Sequence, residues 1–553
     1  MNFTYDVSVF KKEFESNFTW LNGFMRNVDR FGYKIALFDP AENKNWTYEQ
    51  LNKECNRFAN AMKNSGIAKN DVVTYQLFNS AAFVFCYIAP QKIGAINNPV
   101  NYNLSPGETA QILNHNKPKV YVYDSEVKDM VLEALNMAEH KPEIIIMAVT
   151  NHKETECPEG HILFDDYIKN SSDENIVPEN ASIYDEVTRL QTSGTTGLPK
   201  GVPLNNINEV LSAHDVLMHF PLNPTDKTMN MTPWFHRGGL HSGGLTPTLY
   251  VGGQIIIFRA FLQPKLCLEY VEKYKITFLI GVPSVLEILA NRQEKSAYDL
   301  SSLKGIVTMG SPLEKAACIR YQNMLTPNIF NGYGTTETFW NTFLRPYDLP
   351  KMSGAAGKAC TDDDVRVVKF YENRKAEPDE LADTDNKEVG EIIIKSPAKT
   401  TYCYYNNEEA TQMKYKDGWF YTGDLGTWDK HHFITVAGRK DDMIISAGEN
   451  IYPAKIEEVI NEHEKVAECI VTAVPDKARG EAVTAYIIPK DKSLTVAELI
   501  DFCSNSPMLS KYQCPRYYRF VDELPRTATG KKQHFKIKAQ AKEDLKNGLL
   551  LRK

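Results

Sequence analysis

From about residue 45 to residue 440, short apolar runs of strand length alternate with stretches of helical periodicity. Leu51–Ser65 carries apolar side chains at helical spacing and reads as an amphipathic helix, and Asp71–Leu77 follows it as a strand. Val120–Tyr123, Ile144–Val149, Phe278–Gly281 and Gly305–Thr308 read as short buried strands, and Phe83–Ala89 and Gln254–Phe258 have the length of buried strands too. Strands that alternate with helices need crossover connections, so the sheets are expected to be largely parallel and covered by helices. The acidic stretch Glu377–Lys387 reads as a surface loop between two antiparallel strands. From Val436 the pattern restarts, with strands at Met443–Ser446, Val466–Val474 and Ala482–Pro489 and helices at Pro453–His463 and Val496–Ser504. The expected fold class is α/β: a large N-terminal domain of mixed sheets flanked by helices, residues 1–440, and a small α+β C-terminal domain, residues 441–553.

The length of 553 residues agrees with more than one domain, since a single core stops growing at about 250–300 residues. A net charge of −7 argues against nucleic acid as a partner and asks for locally positive pockets wherever an anion binds. No apolar run approaches the roughly 18 residues of a membrane span. The N-terminal segment has no apolar signal core, and the C-terminal GLLLRK is not a peroxisomal tripeptide. Ten cysteines are scattered without CxxC or metal-ligand spacing. That distribution fits a reducing cytoplasm.

The string Thr192-Ser193-Gly194-Thr195-Thr196-Gly197-Leu198-Pro199-Lys200-Gly201 follows a predicted strand, Val187–Gln191, and precedes a predicted helix, Asn206–Phe220. Small residues let the main chain approach phosphate oxygens, and the hydroxyls and a lysine complete an anion cradle. It is not a Walker loop, because no Gly-Lys-Ser/Thr follows the glycines at the required spacing. Downstream lie Gly310-Ser311-Pro312 and Asn331-Gly332-Tyr333-Gly334-Thr335-Thr336-Glu337. In the second segment Tyr333 offers an aromatic face for stacking, Asn331 an amide, Thr336 a hydroxyl that can donate to a phosphate oxygen, and Glu337 a hard oxygen ligand suited to Mg2+. Further on come Tyr421-Thr422-Gly423-Asp424, Gly438-Arg439-Lys440-Asp441-Asp442, Ser446-Ala447-Gly448 and Pro525-Arg526-Thr527-Ala528-Thr529-Gly530-Lys531.

In order and spacing these segments resemble the signatures of the adenylate-forming superfamily of AMP-binding enzymes, and within it the acyl-CoA synthetase and aryl-CoA ligase branch. The resemblance covers nearly the whole chain. It implies the adenylate-forming enzyme fold, in which the small C-terminal domain is mobile, and an ATP-dependent acid–CoA ligase working through an acyl-adenylate, with ATP, Mg2+ and CoA as cofactor and co-substrates. It implies that Thr192 to Gly197 and Lys200 bind phosphate, that Gly310, Ser311 and Pro312 line the adenine opposite Asn331 to Thr335, and that Asp424 and Arg439 meet the ribose hydroxyls. Glu337 would hold the metal, Asp441 would be the hinge, and Lys531 would be the catalytic lysine. Ser446, Ala447 and Gly448 would line the path of the CoA thiol. His236 matches a gate residue beside the acid pocket, to which Arg237, His241, Met309 and Trp340 are also assigned. Met309 and Trp340 add bulk there, which favours a small to medium aliphatic or aromatic acid. Asn205-Asn206 departs from the pattern, where relatives often carry Thr/Ser-His. Pro525 and Gly530-Lys531 have the spacing that lysine acyltransferases recognise in some bacterial relatives. Two alternatives stay open at this point: adenylation for a carrier-protein thiol, and nucleotide binding without catalysis.

Overall fold

The structure is a computed structural model that describes all residues except 1–5, 152, 154, 194–198, 260–262, 312, 372, 447–448, 477–478, 507, 527–531 and 553. Two compact units result. One holds Met1–Asp364 and Ile394–Phe420, the other Val365–Ile393 and Tyr421–Lys553. Asp441 lies inside the second unit.

The first unit is built on two mixed sheets. In the nine-stranded sheet the strands Ile329–Thr335, Gly305–Met309, Phe278–Gly281, Lys227–Asn230, Gln254–Ile256 and Ile35–Asp39 lie side by side, all parallel. Antiparallel strands close both edges, Phe339–Leu344 and Lys358–Ala359 on one side and Lys44–Thr47 on the other. The seven-stranded sheet runs Ile162–Leu163, Ile144–Ala148, Val120–Asp124, Val72–Gln76, Ile96–Pro99, Glu186–Ser193 and Pro199–Asn205, and only the last pairing is antiparallel. The parallel strands are buried on both faces, as their continuous apolar runs require. This is an α/β architecture.

The predicted strands are present to within two residues of the expected ends, except for one. Phe83–Ala89 is not a strand. It forms the middle of the helix Ala81–Lys92, which Ser80 caps by accepting from the Phe83 amide. Every residue from Phe83 to Lys92 is buried. A helix enclosed on all sides shows no apolar face, so its sequence cannot be told from that of a buried strand by periodicity. The helix expected at Leu51 starts at Tyr48, where Thr47 and Gln50 form a capping box.

The second difference concerns the Gly/Ser/Thr string. The helix Asn206–His219 does not open directly after it. The strand Pro199–Asn205 intervenes and pairs antiparallel with Glu186–Ser193, in a register that includes Thr192↔Lys200 and Ser193↔Pro199. The described ends of the string, Thr192 and Ser193 on one side and Pro199 to Gly201 on the other, therefore lie within two paired strands, and the helix opens only after the second of them. Asn205 and Asn206 have local duties. Asn205 caps the helix in a capping box with Asn208, and the Asn206 side chain donates to the Ser182 carbonyl.

In the second unit a sheet of six strands is centred on Gly480–Pro489, which pairs antiparallel with Val466–Asp476 and Ile444–Ser446 and parallel with Tyr517–Phe520. The helices Pro453–Asn461 and Val496–Asn505 cover a core of Ile456, Ile460, Val471, Val483, Leu499 and Tyr518. Trp419–Trp428 pairs antiparallel with Ile434–Arg439, with Asp424 opposite Arg439.

Candidate active site

The parallel register of the nine-stranded sheet brings two of the predicted segments together. Thr308 faces Asn331 and Met309 faces Gly332, so Gly310-Ser311 and Tyr333-Gly334 leave the same carboxyl edge side by side. In open parallel sheets that edge is where ligands sit. Gly310 takes the left-handed φ of +82° that turns the chain at the strand end, and it and Ser311 are exposed. Asn331 is 3% exposed, and its Oδ1 has no hydrogen-bond partner. An orphaned buried acceptor of this kind fits an amine donor such as that of adenine.

The chain then turns back through Thr336, Glu337 and Thr338 into Phe339–Leu344, with Gly334 opposite Trp340 and Thr335 opposite Phe339. Gly334 is required by close approach: a Cβ there would lie 1.5 Å from the Phe339 carbonyl oxygen. Phe339 itself holds a left-handed φ of +63°. The Thr335 and Thr338 hydroxyls lie 3.0 Å apart across the turn. Glu337 is buried, and its Oε1 accepts a 2.5 Å hydrogen bond from the Tyr404 hydroxyl. The Lys200 ammonium stands 5.3 Å from the centre of the Tyr404 ring. Tyr404 carried no signal in the sequence beyond its place in an aromatic run.

Trp234, Phe235 and His236 follow the strand Lys227–Asn230 at the same edge. Trp234 is fully buried against Phe83, Phe235 packs edge-on to Tyr102, and the half-buried His236 ring lies 4.3 Å from that of Phe235. Arg237 is buried. Its Nη1 donates to the Thr336 carbonyl at 2.6 Å, and its Nη2 donates to the Lys399 carbonyl at 2.8 Å and to the Ser212 hydroxyl at 3.2 Å. Burial pushes the guanidinium down to about 10. His241 is fully buried and bonds Glu209 at 2.7 Å, and Glu209 also accepts from the Tyr87 hydroxyl at 2.9 Å. Burial pushes the Glu209 carboxyl up, but His241 and the bonds from Thr188 and Tyr87 outweigh it and hold the group below its ordinary range. Arg237 and His241 are thus both engaged by the chain's own buried groups.

Met309 and Trp340 stand on either side of Gly332. Met309 packs on Gly238, where a Cβ would lie 2.7 Å from its sulfur, and Trp340 packs on Gly332, where a Cβ would lie 2.8 Å from Nε1. Both are buried, and Trp340 Nε1 has no hydrogen-bond partner.

In the second unit Arg439 Nη1 donates to Asp424 Oδ1 at 2.7 Å. Asp441 is exposed in the turn Lys440–Asp442, and its carbonyl accepts from Lys538. The Ser446 hydroxyl is buried and donates to the Glu481 carbonyl at 2.6 Å. Arg526 and Lys532, which flank Lys531, form an antiparallel bridge. The predicted site residues Gly194, Thr195, Thr196, Gly197, Pro312, Ala447, Gly448 and Lys531 lie outside the described residues.

Residues 24–405 match the family model of the AMP-binding enzymes, and residues 455–531 match that of the AMP-binding enzyme C-terminal domain. The chain belongs to the AMP-binding enzyme family. An indoleacetate–CoA ligase of Aromatoleum aromaticum is 30% identical over 502 residues, covering 90% of this chain and 93% of that one. Among solved structures, the anthranilate CoA ligase AuaEII in complex with anthranoyl-AMP superimposes with a TM-score of 0.85 at 26% identity, covering 96% and 98% of the two chains. The o-succinylbenzoate CoA synthetase of Bacillus subtilis, in complex with ATP and magnesium, gives a TM-score of 0.78 at 27% identity over 92% and 98%. Within the AMP-binding enzymes this one stands in the acyl-CoA synthetase branch, as an AMP-forming acid–CoA ligase. Among its described residues no helix is long and apolar enough to cross a membrane.

Proposed function

We propose that this enzyme activates a small to medium aromatic or short aliphatic acid with ATP and transfers the acyl group to CoA. The observation that carries the size limit is the pair of buried side chains, Met309 and Trp340, that flank Gly332 at the carboxyl edge of the sheet. The unpartnered Trp340 Nε1–H adds a preference for an acid bearing an acceptor near it, since a buried donor left unpaired discriminates strongly. The relatives named for indoleacetate and anthranilate support an aromatic acid.

In this reading a carboxylate oxygen attacks the α-phosphorus of ATP, the bond to pyrophosphate breaks, and the acyl-adenylate forms. CoA thiolate then attacks the acyl carbonyl and AMP leaves. Asn331 Oδ1 accepts from the adenine amine and Tyr333 stacks on the ring. Gly310, Ser311 and Pro312 lie along its other face. The string Thr192 to Lys200 and the Thr336 hydroxyl hold phosphate oxygens. The Asp424 carboxylate, oriented by Arg439, accepts from the ribose hydroxyls. Glu337, a carboxylate beside the Thr336 hydroxyl, suits Mg2+ by donor chemistry, and the ion when bound neutralises phosphate charge. His236 stands as gate, Asp441 as hinge, and Ser446 to Gly448 beside the thiol path. The cytoplasm is the proposed compartment, supported by ten free cysteine thiols.

ATP–pyrophosphate exchange over a panel of benzoate, cinnamate, hexanoate, decanoate and palmitate, with and without CoA, tests the function. Exchange with CoA-stimulated release of AMP is expected. Exchange without that stimulation favours a carrier-protein acceptor, and no exchange with any acid removes catalysis from the reading. The highest kcat/KM on palmitate would overturn the size limit. Trp340→Ala is expected to raise kcat/KM for decanoate about tenfold while leaving benzoate within a few-fold, in line with about 1–3 kcal/mol for pocket contacts. An unchanged ratio would place Trp340 outside the acid pocket.

For Lys531→Ala the expected result is a fall of about a hundredfold in adenylate formation, the scale of one lost charge-stabilising donor. Thioester formation from a pre-made adenylate should stay within a few-fold, and equal loss in both half-reactions would remove the assignment. Acetylation of Lys531 would delete the same charge. Incubation with a lysine acyltransferase and mass spectrometry reads whether the site is taken.

A further inference from the structure

The turn that carries Glu337 is held from behind by two buried cations whose duty no motif announces. Lys399 is 2% exposed, and its ammonium donates to the Trp340 carbonyl at 2.6 Å and to Asp363 Oδ2 at 2.7 Å, with Asp215 Oδ2 at 3.1 Å. Two of its three N–H bonds are thus taken, and the Asp215 carboxylate adds an ion pair. Its own carbonyl accepts from Arg237, whose other terminal nitrogen donates to the Thr336 carbonyl. The two cations therefore grip main-chain carbonyls at both ends of the stretch Thr336–Trp340, and they are linked to each other through Arg237 and the Lys399 carbonyl. Between the two grips lies Phe339, whose left-handed φ of +63° strains a residue with a Cβ. Both cations face its ring, at 5.5 and 5.9 Å.

Buried ion pairs are weak contributors to stability, because desolvation offsets much of their attraction, and packed apolar residues often serve as well. A lysine and an arginine that both direct N–H groups at the main chain of one turn are better explained by placement. Fixing the carbonyls of Thr336 and Trp340 fixes the Cα–Cβ direction of Glu337 between them. Tyr404 fixes the carboxylate from its other end. Preorganisation from both ends spares the carboxylate any reorganisation when a cation and phosphates arrive. We propose that Arg237 and Lys399 are positioning residues that hold the Thr336–Trp340 turn so that Glu337 meets the metal of the bound nucleotide. The polar face of the helix Asn206–His219 completes the support, with Ser212 under Arg237 and Asp215 under Lys399.

This inference rests on the proposed reading of Glu337 as the carboxylate on the metal side, and the test separates the two. The readout is binding without turnover: the dissociation constant of the enzyme for α,β-methylene-ATP alone, divided by that for its Mn2+ complex. Glu337→Gln is measured first. If that variant leaves the ratio unchanged, the reading of Glu337 fails, and the inference with it. If the ratio falls, Lys399→Met and Arg237→Lys decide. Arg237→Lys keeps the charge and breaks the fork between Thr336 and Lys399, so it remains informative should the uncompensated Asp215 and Asp363 prevent Lys399→Met from folding. The expected result is a fall of fivefold or more in the ratio for each folded variant, with metal-free nucleotide binding and the far-ultraviolet circular dichroism unchanged. A smaller fall in Arg237→Lys, whatever its melting temperature, overturns the positioning role and leaves the two cations as structural groups.

Discussion

Replacing Gly334 with alanine will reduce acyl-adenylate formation by about a thousandfold, on the order of 4 kcal/mol at 1.36 kcal/mol per decade. Gly334 is exposed, and a methyl group at an exposed position is ordinarily harmless. Here it would lie 1.5 Å from the Phe339 oxygen, 2.6 Å from its carbonyl carbon and 3.0 Å from the Trp340 Cα. All three obstacles are main-chain atoms, so no rotamer change relieves them. The register shift between Tyr333 and Gly334 would have to open, and Thr336 and Glu337 would move with it. Gly107→Ala is the control. It lies in the helix Pro106–Asn116, and its added Cβ would meet only the Met137 Cε, at an ordinary 3.6 Å. Alanine is favoured over glycine in a helix by about 1 kcal/mol, so that variant should melt at the same or a higher temperature. Gly334→Ala retaining adenylation within tenfold of the parent would show that the turn does not hold the nucleotide site.

The second large effect concerns stability and pH. Lys92, the last residue of the helix Ala81–Lys92, is fully buried, and its ammonium donates to Asn52 Oδ1 at 2.7 Å and contacts the Met25 sulfur. Burial pushes it down from 10.5 to about 8, opposed by Cys55, a thiol that burial in turn pushes up to about 12. The folded chain therefore binds fewer protons at Lys92 than the unfolded chain between pH 8 and 10.5. The Lys92 contribution to stability must therefore rise with pH across that window. Below pH 8 the folded state carries a buried charge at a cost of about 3 kcal/mol, from 1.36 kcal/mol per pH unit. Lys92→Met removes the titration. The stability difference, variant minus parent, is expected to fall by about 3 kcal/mol between pH 7.5 and 10.5, because all other groups cancel in it. Urea unfolding of both proteins at those two values measures it, and a difference constant to about 1 kcal/mol would show that Lys92 is not held neutral.

Much of the fold was legible in local patterns. The parallel strands announced themselves as short apolar runs, because burial on both faces leaves no polar alternation. The segment 310–312 and the segment 331–337 were each visible as motifs, since close approach and turning demand particular small residues at fixed offsets. The helix at Ala81–Lys92 was not legible, because a helix enclosed on every side has the composition of a buried strand. The strand Pro199–Asn205 was missed because Gly, Pro and Lys weaken its strand signal, while its pairing with Glu186–Ser193 overrides propensity.

The sequence by itself determined the family, the order of its signature segments and the class of chemistry, because close main-chain approach and tight turns restrict residue type locally. Only the tertiary structure decided what Arg237, His241, Lys399 and Tyr404 do. Arg237 and His241 read as pocket residues from their place after His236, yet their partners Thr336, Ser212, Lys399 and Glu209 come from segments that lie far away along the chain. Lys399 sits in an unremarkable stretch and finds Asp215, Asp363 and Trp340 only when the sheet is assembled. A buried charge is defined by the groups that compensate it, and those groups are adjacent in space while being separated by dozens to hundreds of residues in sequence.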